Sequence, residues 1–229
     1  GEERQRFAQI QESQAELARR FSEHVLDATD SHALYVDDAD LDGVPDDAIQ
    51  SARAAAQAEG REGREGCKLT LHFPSYFPVM QYGRNRALRE KLYTAYVTRA
   101  SEFGPSERDN GPLMRELLAL RQEEARLLGK SSYAEVSLVP KMAQSPQQVI
   151  DFLRDLARRA RPGAERDLAE LRAFARDELG LPDLQAWDMP FASERLKEKR
   201  YAFSDQEVKP YFVQERVLDG LFRIIETLF

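Results

Sequence analysis

Apolar residues recur at helical spacing along almost the whole 229-residue chain, and only the stretch 67–80 departs from that period. There Leu69, Leu71 and Phe73 alternate with polar neighbours, as in a half-buried β-strand. Pro74 and Pro78 follow, and because proline cannot donate to a strand ladder we expect the strand to stop there. Its natural partner is the short segment 33–36. The pattern predicts a mainly α fold with one small two-stranded element, about 33–36 with 67–73.

Glycine and proline mark where the predicted helices begin and end. Pro45 suits the first position of a helix that continues through an alanine-rich run, and Gly60, Gly63 and Gly66 break that run. The other expected boundaries are Pro112 at a helix start, Gly129 as a left-handed C-cap and Ser145 as an N-cap. Residues 146–179 read as two helices or as one helix kinked at Pro162. We find no linker that divides residues 1–229, so a single helical segment is predicted.

Charge and composition exclude several kinds of partner. The net charge is −7, and acidic and basic residues are interleaved along helical faces, so a nucleic-acid partner is not expected. No apolar run approaches the roughly 20 residues that span a membrane. The single cysteine, Cys67, excludes an internal disulfide framework and favours the cytoplasm. The first residues begin inside a helical pattern and the last helix ends on apolar residues, so we expect a piece of a longer polypeptide.

The residues themselves show no active site. His24, His32 and His72 are the only histidines, and no His-Glu-x-x-His helix is present to hold zinc. Cys67 and His72 lie five residues apart, and an odd offset along a strand places side chains on opposite faces, which argues against a thiol–imidazole dyad. No Gly-x-Ser-x-Gly elbow or glycine-rich phosphate loop is present. We therefore predict no catalytic and no metal-binding residue, and substrate-binding residues stay unknown.

A series of short motifs spread along the chain carries more information than any single one of them. In chain order, these motifs are Leu69-Thr70-Leu71-x-x-Pro74-Ser75-Tyr76-x-Pro78-Val79-Met80, Ala87-Leu88-Arg89 with Ala95-Tyr96-x-Thr98-Arg99-Ala100, Leu117-x-x-Leu120-Arg121-x-x-x-Ala125-x-Leu127-Leu128-Gly129-x-x-x-Tyr133-Ala134, Lys141-Met142-Ala143-x-x-Pro146 with Arg159-Ala160-Arg161-Pro162, and Trp187-Asp188 with Pro210-Tyr211-Phe212. Taken together, they resemble the thimet-oligopeptidase-like family of zinc metallopeptidases.

The resemblance implies a cytosolic, largely helical enzyme that cuts short unfolded peptides in a deep channel with zinc at its floor. In that family the zinc ligands belong to a motif C-terminal to the segment matched here. No zinc ligand can therefore be assigned to this chain, and the chain is not expected to bind zinc by itself. The chain would be part of the N-terminal half, forming channel wall and scaffold, with the missing C-terminal catalytic portion as its partner. A different interpretation is an autonomous helical peptide-binding or scaffold module. A piece of this kind exposes apolar surface, so self-association is a further expectation.

Overall fold

The computed structural model describes residues 1–60, 66–202 and 205–228. Helices account for most of these residues, and short 3-10 turns at 38–41, 106–108, 186–188 and 209–211 connect several of them. The helices and strands are α1 (Glu2–Asp30), β1 (Leu34–Val36), α2 (Asp46–Gln57), β2 (Cys67–Leu69), α3 (Phe73–Tyr82), α4 (Arg86–Val97), α5 (Gly111–Leu127), α6 (Tyr133–Leu138), α7 (Pro146–Glu178), α8 (Met189–Tyr201), α9 (Asp205–Val208) and α10 (Gln214–Leu228).

The two short strands pair as the sequence predicts. β1 and β2 are antiparallel, with Leu34 opposite Leu69 and Val36 opposite Cys67. The mainly α fold with one two-stranded sheet is thereby confirmed.

The predicted extent of the second strand is wrong, because β2 ends at Leu69 and Phe73 already begins α3. Pro74 lies in the first turn of that helix, where its missing N–H has no intrahelical acceptor to lose. The Ser75 hydroxyl accepts a hydrogen bond from the Thr70 backbone at 3.0 Å, which helps to hold the bend between strand and helix. Phe73 is 63% exposed instead of buried.

Half of the buried apolar side chains form one core around this sheet. β1 and β2 lie against α2, α3 and α4, and Trp187 packs on the same core from far along the sequence. Its buried members are Val36, Leu41, Val44, Ala52, Cys67, Leu69, Leu71, Tyr76, Val79, Met80, Leu88 and Leu92. A second, smaller cluster joins α7 to α8 through Leu171, Ala175 and Ala192.

The long helix α1 packs against α5. Ile10 and Leu17 are buried along its apolar stripe. At the rim, Arg6 Nε donates to Glu123 Oε1 at 2.6 Å.

Several predicted helix boundaries are confirmed by their local chemistry. Gly129 has a φ of +69°, the left-handed conformation that favours glycine after a helix. The Ser145 hydroxyl accepts from the Gln148 backbone at 3.2 Å, as an N-cap does. Of the two readings for 146–179, the structure has one helix that continues through Pro162. Pro45 precedes α2 as its N-cap residue, one position earlier than predicted.

Three further expectations concern Gly63, membrane-spanning helices and the number of domains. Gly63 lies outside the described residues. In the described part of the chain, no helix combines the length and apolarity that crossing a bilayer requires. The assignment of residues 1–229 to one domain stays a prediction.

Candidate functional site

A fully buried carboxylate joins two parts of the chain that are far apart in sequence. Asp188, which is 0% exposed, lies at the start of α8 and faces α4. Arg89, itself only 1% exposed, donates from Nη2 to Asp188 Oδ1 at 2.8 Å. Arg86 donates from Nη2 to the other oxygen, Oδ2, at 2.7 Å. A buried charge is tolerated only when it is paired and hydrogen-bonded, and both conditions are met here.

The same arginines bind backbone carbonyls, which fixes their orientation. Arg89 Nη1 donates to the Gly83 carbonyl at 2.6 Å, and Arg86 Nη2 donates to the Asp183 carbonyl at 2.8 Å. The backbone N–H of Gln185 donates to Asp188 Oδ2 at 3.1 Å. We call Arg86, Arg89 and Asp188 the buried ion cluster; it ties the end of α3, the start of α4 and the turn before α8 together.

Burial and pairing act in opposite directions on Asp188. Burial alone would raise the pKa of Asp188, but the hydrogen bonds from Arg86 and Arg89 outweigh it and hold that pKa below its ordinary value. The hydrogen bond to Asp188 likewise raises the pKa of Arg86. Asp188 and Arg86 therefore stay charged at neutral pH.

Beside the end of α3 lies an open groove of about 800 Å³. Its walls combine apolar rings with charges of both signs, a composition that suits an extended peptide better than a small apolar ligand. The lining residues are Gly43, Pro45, Asp46, Asp47, Tyr82, Arg195, Glu198, Lys209, Pro210, Phe212 and Val213.

One wall of the groove is fixed by close backbone packing. Gly43 has a φ of +85°, and a Cβ added there would lie 2.6 Å from the carbonyl oxygen of Tyr82. The Arg84 N–H donates to the Asp42 carbonyl at 2.8 Å in the same place. Only glycine fits this approach of the loop to the end of α3.

The opposite wall is held by ion pairs. Lys209 pairs with Asp47 across the groove, and this hydrogen bond lowers the pKa of Asp47. On α8, Arg195 pairs with Glu198 at 2.8 Å. Of the lining side chains that the structure describes, none is a histidine, cysteine or serine, so the groove offers no nucleophile of these kinds.

Two of the three histidines each have a partner of their own, in different parts of the chain. His24 Nδ1 lies 2.9 Å from Asn110 Oδ1, and His72 Nε2 lies 2.9 Å from Asp30 Oδ1. His32 is half-buried, and burial, followed by the nearby charge of Lys91, lowers its pKa. Within 1–60, 66–202 and 205–228, no three His, Cys, Asp or Glu side chains converge as a metal site requires. The described side chains therefore do not fit a zinc site.

Cys67 and His72 also have separate surroundings. The buried Cys67 thiol donates to Asp38 Oδ1 at 3.4 Å, whereas His72 is exposed beyond the end of β2. Burial, and then the contact with Asp38, raises the pKa of the thiol, which keeps it protonated and unreactive. The predicted separation of this pair is met, although strand alternation is not its cause, since β2 ends before His72.

Sequence reasoning missed the buried ion cluster. Its members lie 99 and 102 residues apart along the chain, a separation that no periodicity reports. The available signal was that Arg89 and Asp188 each fall in a motif shared with the metallopeptidase family.

Comparison with known proteins finds relatives along the whole of this chain. The family model described as "Peptidase family M3" matches residues 79–229. Two proteins named "Oligopeptidase A", from Salmonella typhimurium and Escherichia coli, are each 48% identical over 231 residues, covering 100% of this chain and 34% of their own length. A "Probable cytosolic oligopeptidase A" from Arabidopsis thaliana is 37% identical, covering 100% of this chain and 33% of its own length. The chain thus spans about a third of the length of these curated relatives.

Proposed function

The chain belongs to peptidase family M3, and on that premise we propose that it forms channel wall and scaffold of a zinc-dependent oligopeptidase, without supplying the catalytic centre. The match to proteins named oligopeptidase A over the whole of this chain, and over a third of theirs, carries the proposal. Hydrolysis of short peptides is accordingly proposed for the longer polypeptide.

The role of scaffold is supported by the hydrogen bonds of the buried charged residues. Asp188 and Arg89, the most deeply buried charged residues, are occupied with each other and with backbone groups. The three histidines do not fit a zinc site, so we derive no catalytic step from this chain. We assign the zinc to the portion of the longer polypeptide outside the match.

Short unfolded peptides are the proposed substrates, because a channel excludes folded proteins by its width. The proposed location is the cytoplasm. It is supported by the single cysteine, which is a free and buried thiol, and by the printed name of the Arabidopsis relative.

The proposal is tested by assaying the purified chain. We expect no hydrolysis of a fluorogenic peptide of about ten residues in the presence of added zinc, while the Escherichia coli relative, assayed alongside, provides the positive control. Turnover by the purified chain that a chelator abolishes would contradict the assignment of catalysis to the missing portion.

The groove beside α3 favours a second candidate, an autonomous peptide-binding module. Its aromatic and charged walls could hold a peptide even without hydrolysis. Calorimetric titration with unfolded ten-residue peptides distinguishes the two. Saturable binding that Phe212→Ala weakens favours the module, since Phe212 is 68% exposed and its loss should not disturb folding. No heat of binding favours a passive wall.

A further inference from the structure

The last helix, α10, carries a large apolar face that the rest of the described chain leaves open. Seven apolar side chains on it are each between 43% and 70% exposed, although such residues are normally buried. They are Val217, Leu218, Leu221, Phe222, Ile224, Ile225 and Leu228.

These side chains occupy one continuous side of the helix. At 100° per residue, they spread over an arc of about 160°. The charged residues occupy the remaining side, and they are Glu215, Arg216, Asp219, Arg223 and Glu226. The helix is therefore amphipathic in the manner of a helix that lies in the interior wall of a globular body.

The width of the arc indicates what kind of surface covers it. A two-helix seam uses two positions in seven, the narrow stripe formed here by Val217, Leu221 and Ile224. Leu218, Phe222 and Ile225 form a second stripe beside the first. One partner helix would cover one stripe and leave the other in water, so a second copy of α10 is a poor cover. Two or more helices packed together would cover both.

Within residues 1–60, 66–202 and 205–228, nothing supplies that cover. Every residue of α10 except Gly220 is exposed. An apolar face of this extent on a soluble protein marks an interaction surface.

We propose that α10 docks, through this face, into the portion of an M3-family polypeptide that lies outside this chain. The inference rests on the proposed function. It is supported by the length of the relatives, about three times that of this chain. It is supported also by the family match, which includes the whole of α10, so this helix belongs to the body that family members share.

The test uses a full-length chimera and a matched pair of variants. The chimera is Escherichia coli oligopeptidase A with its 231 aligned residues replaced by this chain. Leu221→Glu places a charge in the centre of the apolar arc, and Thr227→Glu places the same charge on the opposite side of the same helix. Peptide hydrolysis and the melting temperature Tm are measured for both variants, in the chimera and in this chain alone.

The proposal predicts effects that depend on the context. In the chimera, Leu221→Glu buries an unpaired charge and should lower Tm by about 5 °C or more, with at least a tenfold loss of hydrolysis. Thr227→Glu should leave both unchanged. In this chain alone, both variants should melt as the unmodified chain does, and Leu221→Glu should reduce binding of a hydrophobic dye.

Other outcomes overturn the inference. Equal Tm values for the two variants in the chimera mean that the face is not buried there. A stable dimer of this chain in sedimentation, dissociated by Leu221→Glu but not by Thr227→Glu, would instead assign a second copy as the cover. A folded chimera without hydrolysis counts against the proposed function, while the Tm difference between its variants still decides the inference about α10.

Discussion

The core around β1 and β2 and the terminal helix α10 are both rich in large apolar residues. These residues are buried in the core but exposed on α10. Leu92 in the core is 0% exposed and Met80 is 1% exposed, whereas Leu221 and Phe222 on α10 are 49% and 58% exposed. The core closes because its strands and helices cover each other's apolar faces and because Trp187 packs on them from far along the sequence. The difference separates a region whose apolar faces are covered within this chain from one whose apolar face the described residues leave exposed.

The largest effect should come from breaking the buried ion cluster that completes the core. Asp188→Ala leaves Arg89 charged and buried without its partner, which should lower the free energy of unfolding by about 3–5 kcal/mol. Urea denaturation followed by circular dichroism measures the change. Asp177→Ala is the control, because it removes an exposed ion pair, that with Arg176, and should leave the midpoint unchanged. Similar losses of unfolding free energy in both variants would contradict the claim that the buried ion cluster stabilises the fold.

The same substitution made in each region compares them directly. Leu92→Ala opens a cavity in a packed core and should cost about 2–5 kcal/mol of stability. Leu221→Ala removes a side chain that is already half in water and should change stability by less than about 0.5 kcal/mol. Thermal unfolding of the two variants checks this. A loss at Leu221 as large as that at Leu92 would mean that α10 is already covered in the isolated chain.

Substitutions at two glycines distinguish the cost of backbone strain from the cost of steric crowding. Gly43 and Gly129 both have left-handed backbone, with φ of +85° and +69°, so alanine at either position costs about 1–2 kcal/mol. Only at Gly43 would the new Cβ also meet a backbone oxygen, that of Tyr82. Gly43→Ala should therefore be the more damaging by about 1–3 kcal/mol. Equal midpoints for the two variants in urea would contradict the tight approach of this loop to α3.

The smallest effect concerns the stability of the fold at alkaline pH. Burial, together with the neighbouring Tyr96 and Tyr93, raises the pKa of Tyr76 to about 12 from an ordinary 10. Because the folded-state pKa is the higher one, the stability that Tyr76 contributes is fully present below pH 10 and is lost as pH rises through about 12. Tyr76→Phe should flatten the loss of stability in this window and leave stability at pH 7 nearly unchanged. A stability curve as steep as that of the unmodified chain would contradict the burial of this hydroxyl.

Local signals in the sequence predicted those parts of the fold that depend on neighbouring residues. The cap at Ser145 and the left-handed Gly129 each follow from a few adjacent residues, and both are confirmed. Alternation predicted the second strand, and segment 33–36 was its expected partner; the two strands do pair. It failed at Phe73, because apolar residues two apart occur in a strand and equally in a strand followed by the first turn of a helix. Pro74, which stops a strand, also begins a helix, and periodicity could not tell these apart.

The candidate site was the least predictable part. Arg89 and Asp188 belong to motifs that were recognised in the sequence. Their contact, however, joins residues 99 positions apart and depends on how α4 and α8 pack. The groove likewise joins Gly43, Tyr82 and Lys209, which no spacing rule brings together. The exposed face of α10 was anticipated only in general terms, as apolar surface left open, since a helical pattern shows which side is apolar and not what lies against it.

Hydrogen exchange of the isolated chain, read residue by residue at low concentration, tests the contrast between the two regions most directly. A 15-residue helix without tertiary cover is marginal in water, so the amides of α10 should exchange at close to unfolded rates. The amides of β2, α3 and α4 should instead be protected up to the global stability of the chain. Protection of residues 214–228 equal to that of residues 67–97 would contradict the account, because it would show that α10 has its cover within this chain.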